Sequence, residues 1–268
     1  MEQTQQPVQP VQPTQPQYSF PTEEVTLPSK GLLYSEGSPL RSGKITMKYM
    51  TAKEEDILTN QNYIKNGTVI DKLLQSLIVD MTKVEDLLIG DKNAVLVAAR
   101  ILGYGQDYTF KYPHPDTGVE EELTIDLTEA EDKLIDESKM VNGKNEFDFI
   151  LPHSKIAITF KMLTHGDEDK INKELKGLKK INKFTSAELT TRLKHMILSV
   201  NGNYEQKTIR EFVDNSLLAR DSKSLRNYLS EHMPDIDLKV DLDFSSGATA
   251  EGVSIPLGLN FFWPDADI

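Results

Sequence analysis

Apolar residues recur through the middle and late chain at the three- and four-residue spacing of a helix that buries one face. The four groups are Leu73, Leu74, Leu77, Ile78 and Met81; Ala94, Val95, Ala98, Ile101 and Leu102; Leu189, Leu193, Met196, Ile197 and Val200; and Leu225 with Leu229. Gly103 is the predicted end of the second helix, and Pro234 stops the fourth. These parts of the chain are therefore predicted to be largely helical.

Five Thr residues are each followed three positions later by Glu, the spacing of a capping box. In that motif each side chain bonds the free backbone amide of the other residue at a helix start. The pairs are Thr51/Glu54, Thr82/Glu85, Thr128/Glu131, Thr185/Glu188 and Thr208/Glu211. Each pair predicts the beginning of a helix.

Three other segments alternate apolar and polar residues on both sides of a turn-rich centre, which predicts β-hairpins. Their turns are 113–118, 152–154 and 245–247. In the third hairpin the alternation runs to the end of the chain, which places Phe261 and Trp263 on one strand face and Phe262 on the other. The fold class predicted from these patterns is α+β, with antiparallel β-hairpins packed with several α-helices.

The N-terminal segment differs in composition from the rest. Residues 1–17 are almost entirely Gln, Pro, Thr and Val, with the single charge of Glu2. Such a segment buries too little apolar area to offset its ordering entropy. We predict a disordered tail over residues 1–24 and a single α+β domain over residues 25–268. The tail is either a passive extension or a tether that docks on a partner.

The charge balance narrows the class of partner. The chain has 268 residues, 30 Lys+Arg, 42 Asp+Glu and no Cys, for a net charge of −12. An acidic chain repels phosphate backbones, which argues against nucleic acid. The apolar run from Ala94 to Leu102 is broken by Arg100 and is too short for a membrane span. The absence of Cys excludes disulfides and thiolate metal sites.

Charge is also distributed unevenly along the chain. Nine acids and one Lys lie between Glu120 and Glu137, whereas six lysines lie between Lys170 and Lys183. These are either two solvated faces or the two poles of a subunit that meets neighbours of opposite charge.

A search for catalytic constellations finds none, so no enzyme activity, cofactor or metal is expected. There is no G-x-S-x-G elbow, and the five histidines lack the H-x-x-x-H and H-E-x-x-H spacings. Asp241 and Asp243 share a predicted strand face, which keeps a metal-dependent hydrolase as an alternative of a different class. The aromatic end, Phe261, Phe262 and Trp263, is expected to close the core or to meet a partner.

Several segments together resemble the baseplate hub proteins of T-even-type contractile-tailed bacteriophages. They are Leu27-Pro28-Ser29-Lys30-Gly31-Leu32-Leu33-Tyr34, Gly90-Asp91-Lys92-Asn93 through Arg100-Ile101-Leu102-Gly103-Tyr104-Gly105, Leu163-Thr164 with Asp167-Glu168, Asp221-Ser222-Lys223-Ser224-Leu225-Arg226, Met233-Pro234-Asp235-Ile236-Asp237, Ile255-Pro256-Leu257 and Phe261-Phe262-Trp263-Pro264. The resemblance implies a non-enzymatic late viral protein that builds the central hub of the baseplate or helps to build it.

The resemblance also implies partners and a location. The partners would be other baseplate hub, tail-tube or tape-measure proteins. The protein would meet them in the host cytoplasm during assembly, and as a permanent subunit it would remain in the tail baseplate of the virion. An assembly chaperone that leaves the particle, and a cellular adaptor with an acidic surface, are the alternatives. Arg100, Asp221 and Arg226 lie in matching segments and are candidates for structural ion pairs or subunit contacts.

The sequence departs from the hub family at two turns. Relatives of this kind often carry a C-x-x-C-G-like turn in the first and last hairpins, where this chain has Pro113 to Gly118 and Ser245 to Gly247. A structural zinc site is therefore not expected here. Hydrogen bonds and packing are expected to hold these turns instead.

Overall fold

A computed structural model describes residues 21–80, 82–181 and 187–262. Met81, Thr185 and Trp263 lie outside the described residues, as does the predicted N-terminal tail up to residue 20. The predicted strand position of Trp263 and the Thr185/Glu188 capping box are therefore not described by the structure.

Helices form in the middle and late chain, as the apolar spacing predicts. Their bounds are α1 Ala52–Leu58, α2 Gln61–Asn66, α3 Val69–Leu77, α4 Ile89–Tyr104, α5 His165–Ile181, α6 Glu188–Met196, α7 Gln206–Asn215, α8 Ala219–His232 and α9 Leu259–Phe262. Short 3-10 helices span Pro39–Ser42, Val84–Asp86, Leu127–Glu129 and Glu137–Lys139. Helix α8 ends just before Pro234, whose ring cannot continue a helix.

The strands form small antiparallel sheets. Their bounds are β1 Thr22–Thr26, β2 Lys44–Lys48, β3 Asp107–Pro113, β4 Glu120–Asp126, β5 Glu131–Asp132, β6 Phe147–Ile150, β7 Ala157–Phe160, β8 Ile197–Val200, β9 Ile236–Asp237, β10 Lys239–Asp243 and β11 Thr249–Ser254. The pairs are β1–β2, β3–β4, β5–β9 and β10–β11, and one three-stranded sheet has the order β6–β7–β8. The three predicted hairpins are present, and the α+β class is confirmed.

The hydrophobic core surrounds helix α4, which is buried on most of its faces. Its buried residues include Gly90, Asp91, Ala94, Val95, Leu96, Val97, Ala99 and Arg100. A helix that is apolar on nearly every side belongs in the interior. In this protein α4 contacts α3, β1, β9 and the 3-10 helix Leu127–Glu129.

The predicted capping boxes are only partly confirmed. Thr51 and Glu54 form a complete box at the start of α1. Thr82 precedes only a short 3-10 helix, and Thr128 lies inside another one that leads into β5. Thr208 lies inside α7, which begins at Gln206. The helix starts predicted at these last three positions are wrong, because the Thr-x-x-Glu spacing also fits a turn and the interior of a helix.

Three boundaries also differ from the predictions. Gly103 lies inside α4, and the left-handed φ of 87° belongs to Gly105, which ends the helix. Ile197 and Val200 belong to β8 rather than to the preceding helix. The domain boundary predicted at residue 25 falls inside β1, which starts at Thr22.

The aromatic end is helical rather than extended. Strand β11 stops at Ser254, and α9 follows at Leu259–Phe262. Phe261 and Phe262 are both buried, so the predicted placement on opposite strand faces is wrong. Within the described residues, no helix has the length and apolar character to cross a membrane.

Candidate functional site

A buried carboxylate at the start of α4 joins two distant segments. Asp91 is fully buried and accepts hydrogen bonds from the Ser29 backbone N at 2.9 Å and from Ser29 Oγ at 2.7 Å. The Tyr34 hydroxyl donates to the same carboxylate at 2.6 Å and accepts from the Leu88 backbone N at 2.9 Å. Three donors converge on Asp91, and a carboxylate, which only accepts, suits all of them.

Burial and hydrogen bonding shift the pKa of the Asp91 carboxyl in opposite directions. Burial raises the pKa of Asp91, while hydrogen bonds from Tyr34 and Ser29 lower it, and the net shift is upward. Burial, together with the adjacent Asp91 charge, also raises the pKa of Tyr34. The Tyr34 phenol therefore stays protonated and keeps its role as a donor to Asp91.

A second contact brings the chain after α8 against the same helix start. A Cβ added to Gly90 would lie 1.9 Å from the Pro234 carbonyl oxygen, so the two backbones pack at a distance that only glycine permits. Nearby, Asn93 Nδ2 donates to Asp235 Oδ1 at 3.0 Å. The backbone N of Lys133 donates to the Asp235 carbonyl at 2.8 Å, which extends the contact to β5.

A third contact comes from the segment that enters α5. The backbone N of Ile89 donates to the Leu163 carbonyl at 3.2 Å, and that of His165 donates to the Leu87 carbonyl at 2.8 Å. Lys92 adds a half-buried ion pair with Glu168 at 3.0 Å. We call this convergence of 27–34, 88–93, 163–168 and 233–237 the α4 junction. Its polar groups bond to one another, so it is suited to brace the fold.

Asp221 acts at a separate turn. Its buried carboxylate accepts hydrogen bonds from the backbone N of His153 at 2.8 Å and of Ser154 at 3.0 Å. Burial alone would raise the pKa of Asp221, but these hydrogen bonds lower it overall. Arg226 is exposed on α8 and bonds only weakly to the Ser222 carbonyl at 3.4 Å. Asp221 therefore fixes the β6–β7 turn, and Arg226 faces solvent.

Arg100 lies among aromatic rings. It is 7% exposed, and its guanidinium carbon lies 4.9 Å from the centroid of the Tyr104 ring and 5.7 Å from that of Tyr108. Burial lowers the pKa of Arg100, and the two tyrosines oppose the shift. Among the described carboxylates, none forms an ion pair with Arg100. Cation–π contacts thus take the place of the ion pair expected from sequence.

The aromatic end packs beside these rings. The Phe261 ring lies 5.0 Å from Tyr108 and 5.8 Å from Phe262, and both phenylalanines join the main core. Phe262 is only 2% exposed, so its side chain is not displayed to a neighbour in this conformation. Core closure by Phe261 and Phe262 is what the described part of this segment shows.

The tips of the first and last hairpins meet. His114 Nε2 and Ser246 Oγ share a hydrogen bond of 2.7 Å, and the His114 ring lies 4.9 Å from the Phe244 ring. The Ser245 backbone N donates to Glu121 Oε1 at 2.8 Å. These are the two turns that are expected from the sequence to be held by hydrogen bonds and packing. Hydrogen bonds and an aromatic contact connect them here.

The two acids considered for a hydrolase lie on the exposed hairpin β10–β11. Asp241 Oδ1 accepts a hydrogen bond from the Gly252 backbone N at 2.7 Å, next to an irregularity in the strand register. Asp243 pairs in register with Thr249. The Asp241 carboxylate therefore has a local structural partner.

A different cluster was not recognised from the sequence. Asp71, His165 and Asp169 bring one ligand atom each to within 4.8 Å of one another. The H-x-x-x-D pair lies on one face of α5, but Asp71 belongs to α3, so only the fold reveals the group. The four-residue spacing of His165 and Asp169 is the only sign of this cluster in the sequence. A search for pairs of histidines does not find it, because the second ligand is an aspartate.

The lysine-rich segment forms an exposed stripe on α5. Lys173, Lys176 and Lys180 share one face and make no ion pair with the residues for which the structure gives positions. The opposite face buries Ile171 and packs on α6 and the 3-10 helix Val84–Asp86. Three unpaired ammonium groups on one face are stable in water or against an acidic partner.

A family model described as T4 bacteriophage base plate protein matches residues 21–263. Neither the curated proteins nor the solved structures provide a match. The matched range includes every described residue and therefore all four segments of the α4 junction.

Proposed function

The chain belongs to the family of T4 bacteriophage base plate proteins, and we propose from that premise that it is a component of the baseplate hub. It would act through contacts with other hub, tail-tube or tape-measure proteins, without catalysis. The host cytoplasm would be the place of assembly, and the tail baseplate of the virion its final location.

The α4 junction is the observation that supports a structural role. Four segments far apart in sequence are tied to one helix start by Asp91, by the close approach of Gly90 to Pro234 and by the Lys92–Glu168 ion pair. Groups that satisfy one another inside the fold stabilise a fixed shape. A fixed shape suits a subunit that has to present surfaces to several neighbours.

The lysine stripe on α5 is the proposed contact surface. Lys173, Lys176 and Lys180 are exposed and point away from the core on a protein of net charge −12. A concentrated positive face on an acidic subunit favours an acidic surface on a neighbour and disfavours other arrangements. Arg226, which is exposed on α8, is a further residue that we propose as a contact.

Coexpression and pull-down with hub, tail-tube and tape-measure proteins test the proposal. We expect a stable complex with at least one of them, and loss of that complex in the triple variant Lys173→Glu, Lys176→Glu, Lys180→Glu. The control Lys53→Glu, Lys65→Glu, Lys207→Glu makes the same charge change at scattered exposed positions and should leave binding intact. Failure to recover any of the three classes of partner would refute the hub role.

Mass spectrometry of purified particles separates the two forms of the proposal. A permanent subunit is present in the particle at a fixed ratio to other baseplate proteins. An assembly chaperone is found with hub intermediates and is missing from finished virions.

A further inference from the structure

We propose that Asp71, His165 and Asp169 form a binding site for a divalent transition-metal ion of the Zn²⁺ class. The site would connect α3 to α5, and it does not depend on the baseplate role. Its three side chains offer two carboxylate oxygens and one imidazole nitrogen, a donor set that suits Zn²⁺.

The geometry already brings the donors together. His165 Nε2 lies 2.6 Å from Asp71 Oδ1, and all three ligand atoms lie within 4.8 Å of one another. Zinc binds nitrogen and carboxylate oxygen at about 2.0–2.2 Å, which places neighbouring ligand atoms roughly 3.3 Å apart in a tetrahedron. The side chains would have to rotate to reach this spacing, and water would take the remaining position.

The charges around the cluster favour a cation. Asp71 and Asp169 place two carboxylates close together, and Asp169 has neither a hydrogen bond nor an ion pair among the described residues. Two carboxylates at this separation repel unless a positive charge lies between them. His165 is buried, which limits access of the water that would otherwise screen this repulsion.

Lys92 is expected to weaken the affinity of the site for a metal ion. Its Nζ lies 3.4 Å from His165 Nδ1 and 3.0 Å from Glu168 Oε2. An ammonium only donates, so this contact leaves the ring proton on Nε2, facing Asp71. A metal ion at Nε2 displaces that proton, and Lys92 has to turn fully toward Glu168 so that Nδ1 can carry it. Removing the Lys92 ammonium should therefore tighten metal binding.

Calorimetric titration of the full chain with Zn²⁺, after removal of metal by a chelator, tests the site. We expect one Zn²⁺ per chain and a rise in Tm of at least ~4 °C at saturating metal. Asp169→Asn, which keeps the side-chain size, should weaken Zn²⁺ affinity at least ~10-fold. Lys92→Met should increase it.

The control variant is Asp214→Asn, which changes a carboxylate on α7 that pairs with Lys194, away from the cluster. It should bind Zn²⁺ like the unmodified protein. Far-UV circular dichroism in chelator establishes that each variant is folded, and if Asp169→Asn unfolds, His165→Gln replaces it. Absence of Zn²⁺ binding would overturn the proposal. Equal affinity in the Asp169→Asn and Asp214→Asn variants would mean adventitious surface binding only and would overturn it as well.

Discussion

At the scale of single residues, Tyr34 carries two hydrogen bonds with opposite roles. Its hydroxyl donates to Asp91 at 2.6 Å and accepts from the Leu88 backbone N at 2.9 Å. A buried donor or acceptor that loses its partner costs more than the net value of the bond. The contribution of Tyr34 therefore lies in the two buried groups that its hydroxyl satisfies, the Asp91 carboxylate and the Leu88 amide.

Tyr34→Phe should lower the free energy of unfolding by about 2 kcal/mol, because Asp91 and the Leu88 amide each lose a partner. Urea denaturation measures the change. Tyr204→Phe removes the same hydroxyl from an exposed ring and should cost less than about 0.5 kcal/mol. Equal effects of the two substitutions would contradict the assigned role of Tyr34.

Glu54 is a buried carboxylate whose pKa is lowered. Burial alone would raise its pKa, but Ser76 Oγ and Thr51 Oγ1, each at 2.6 Å, and Lys48 Nζ at 2.9 Å lower it from 4.5 to about 2. A lowered pKa in the folded state stabilises the fold fully above the ordinary pKa, and this stabilisation is lost as the pH falls toward the folded value.

We expect the protein to lose up to about 3 kcal/mol of stability between pH 5 and pH 2 through Glu54. Glu54→Gln should be less stable at neutral pH and should show a correspondingly flatter dependence in this range. Urea melts across the pH series measure both. Glu36→Gln, at an exposed turn, is the control and should follow the unmodified protein.

At the scale of elements, the position of α4 depends on a glycine. Gly90 lies where the helix start meets Pro234, and a Cβ there would be 1.9 Å from a carbonyl oxygen and 2.7 Å from its carbon. Backbone atoms cannot move aside as the tip of a flexible side chain can. Helix α4 and the chain after α8 would have to separate.

Gly90→Ala should therefore destabilise the protein by about 3 kcal/mol or more, measured by urea denaturation. Gly177→Ala is the matched control inside α5, where an added Cβ meets nothing within 4 Å. The control should stabilise the fold by up to about 1 kcal/mol, because Ala favours a helix over Gly. A tolerated Gly90→Ala would show that the junction is loosely packed.

The short helix α9 closes the core through its two phenylalanines. Phe261 is 1% exposed and packs on Tyr108, which in turn lies against Arg100. Phe261→Ala should cost about 3–5 kcal/mol through lost burial and the cavity that remains. Thermal unfolding checks this, with Leu134→Ala, at a fully exposed position, as a control that should leave Tm unchanged.

At the scale of the whole molecule, the described body does not include the Gln/Pro-rich segment. Strand β1 begins at Thr22 and pairs with β2 over Thr22–Thr26. The composition of residues 1–17 predicts that this segment adds little to stability. It is either a passive extension or a tether that docks on a partner.

Deletion of residues 1–17 should leave Tm essentially unchanged, since β1 and its partner stay intact. Differential scanning calorimetry of the full and shortened chains tests this. A loss of several degrees would show that the segment packs on the body. If Tm is unchanged while pull-down of hub partners fails, the tether is the supported role.

Local patterns predicted the elements whose residues contact one another within a short stretch of chain. Helices α3, α4 and α8 follow from apolar spacing, and the tight hairpins β3–β4 and β6–β7 follow from alternation around a turn. The apolar spacing did not predict β8, because Ile197 and Val200 also fit the helical repeat of α6 and were therefore assigned to that helix. The alternation of apolar and polar residues likewise predicted a strand at the position where α9 forms.

The sequence by itself determined the fold class, the family resemblance and the aromatic end as a feature that closes the core or meets a partner. Only the tertiary structure decided that Asp91 binds Ser29 and Tyr34, that Gly90 meets Pro234, and that Asp71 joins His165. These contacts cross 57 or more positions between Asp91 and its partners and 94 between Asp71 and His165. Periodicity records which face of an element is buried, but it carries no information about which distant element covers that face.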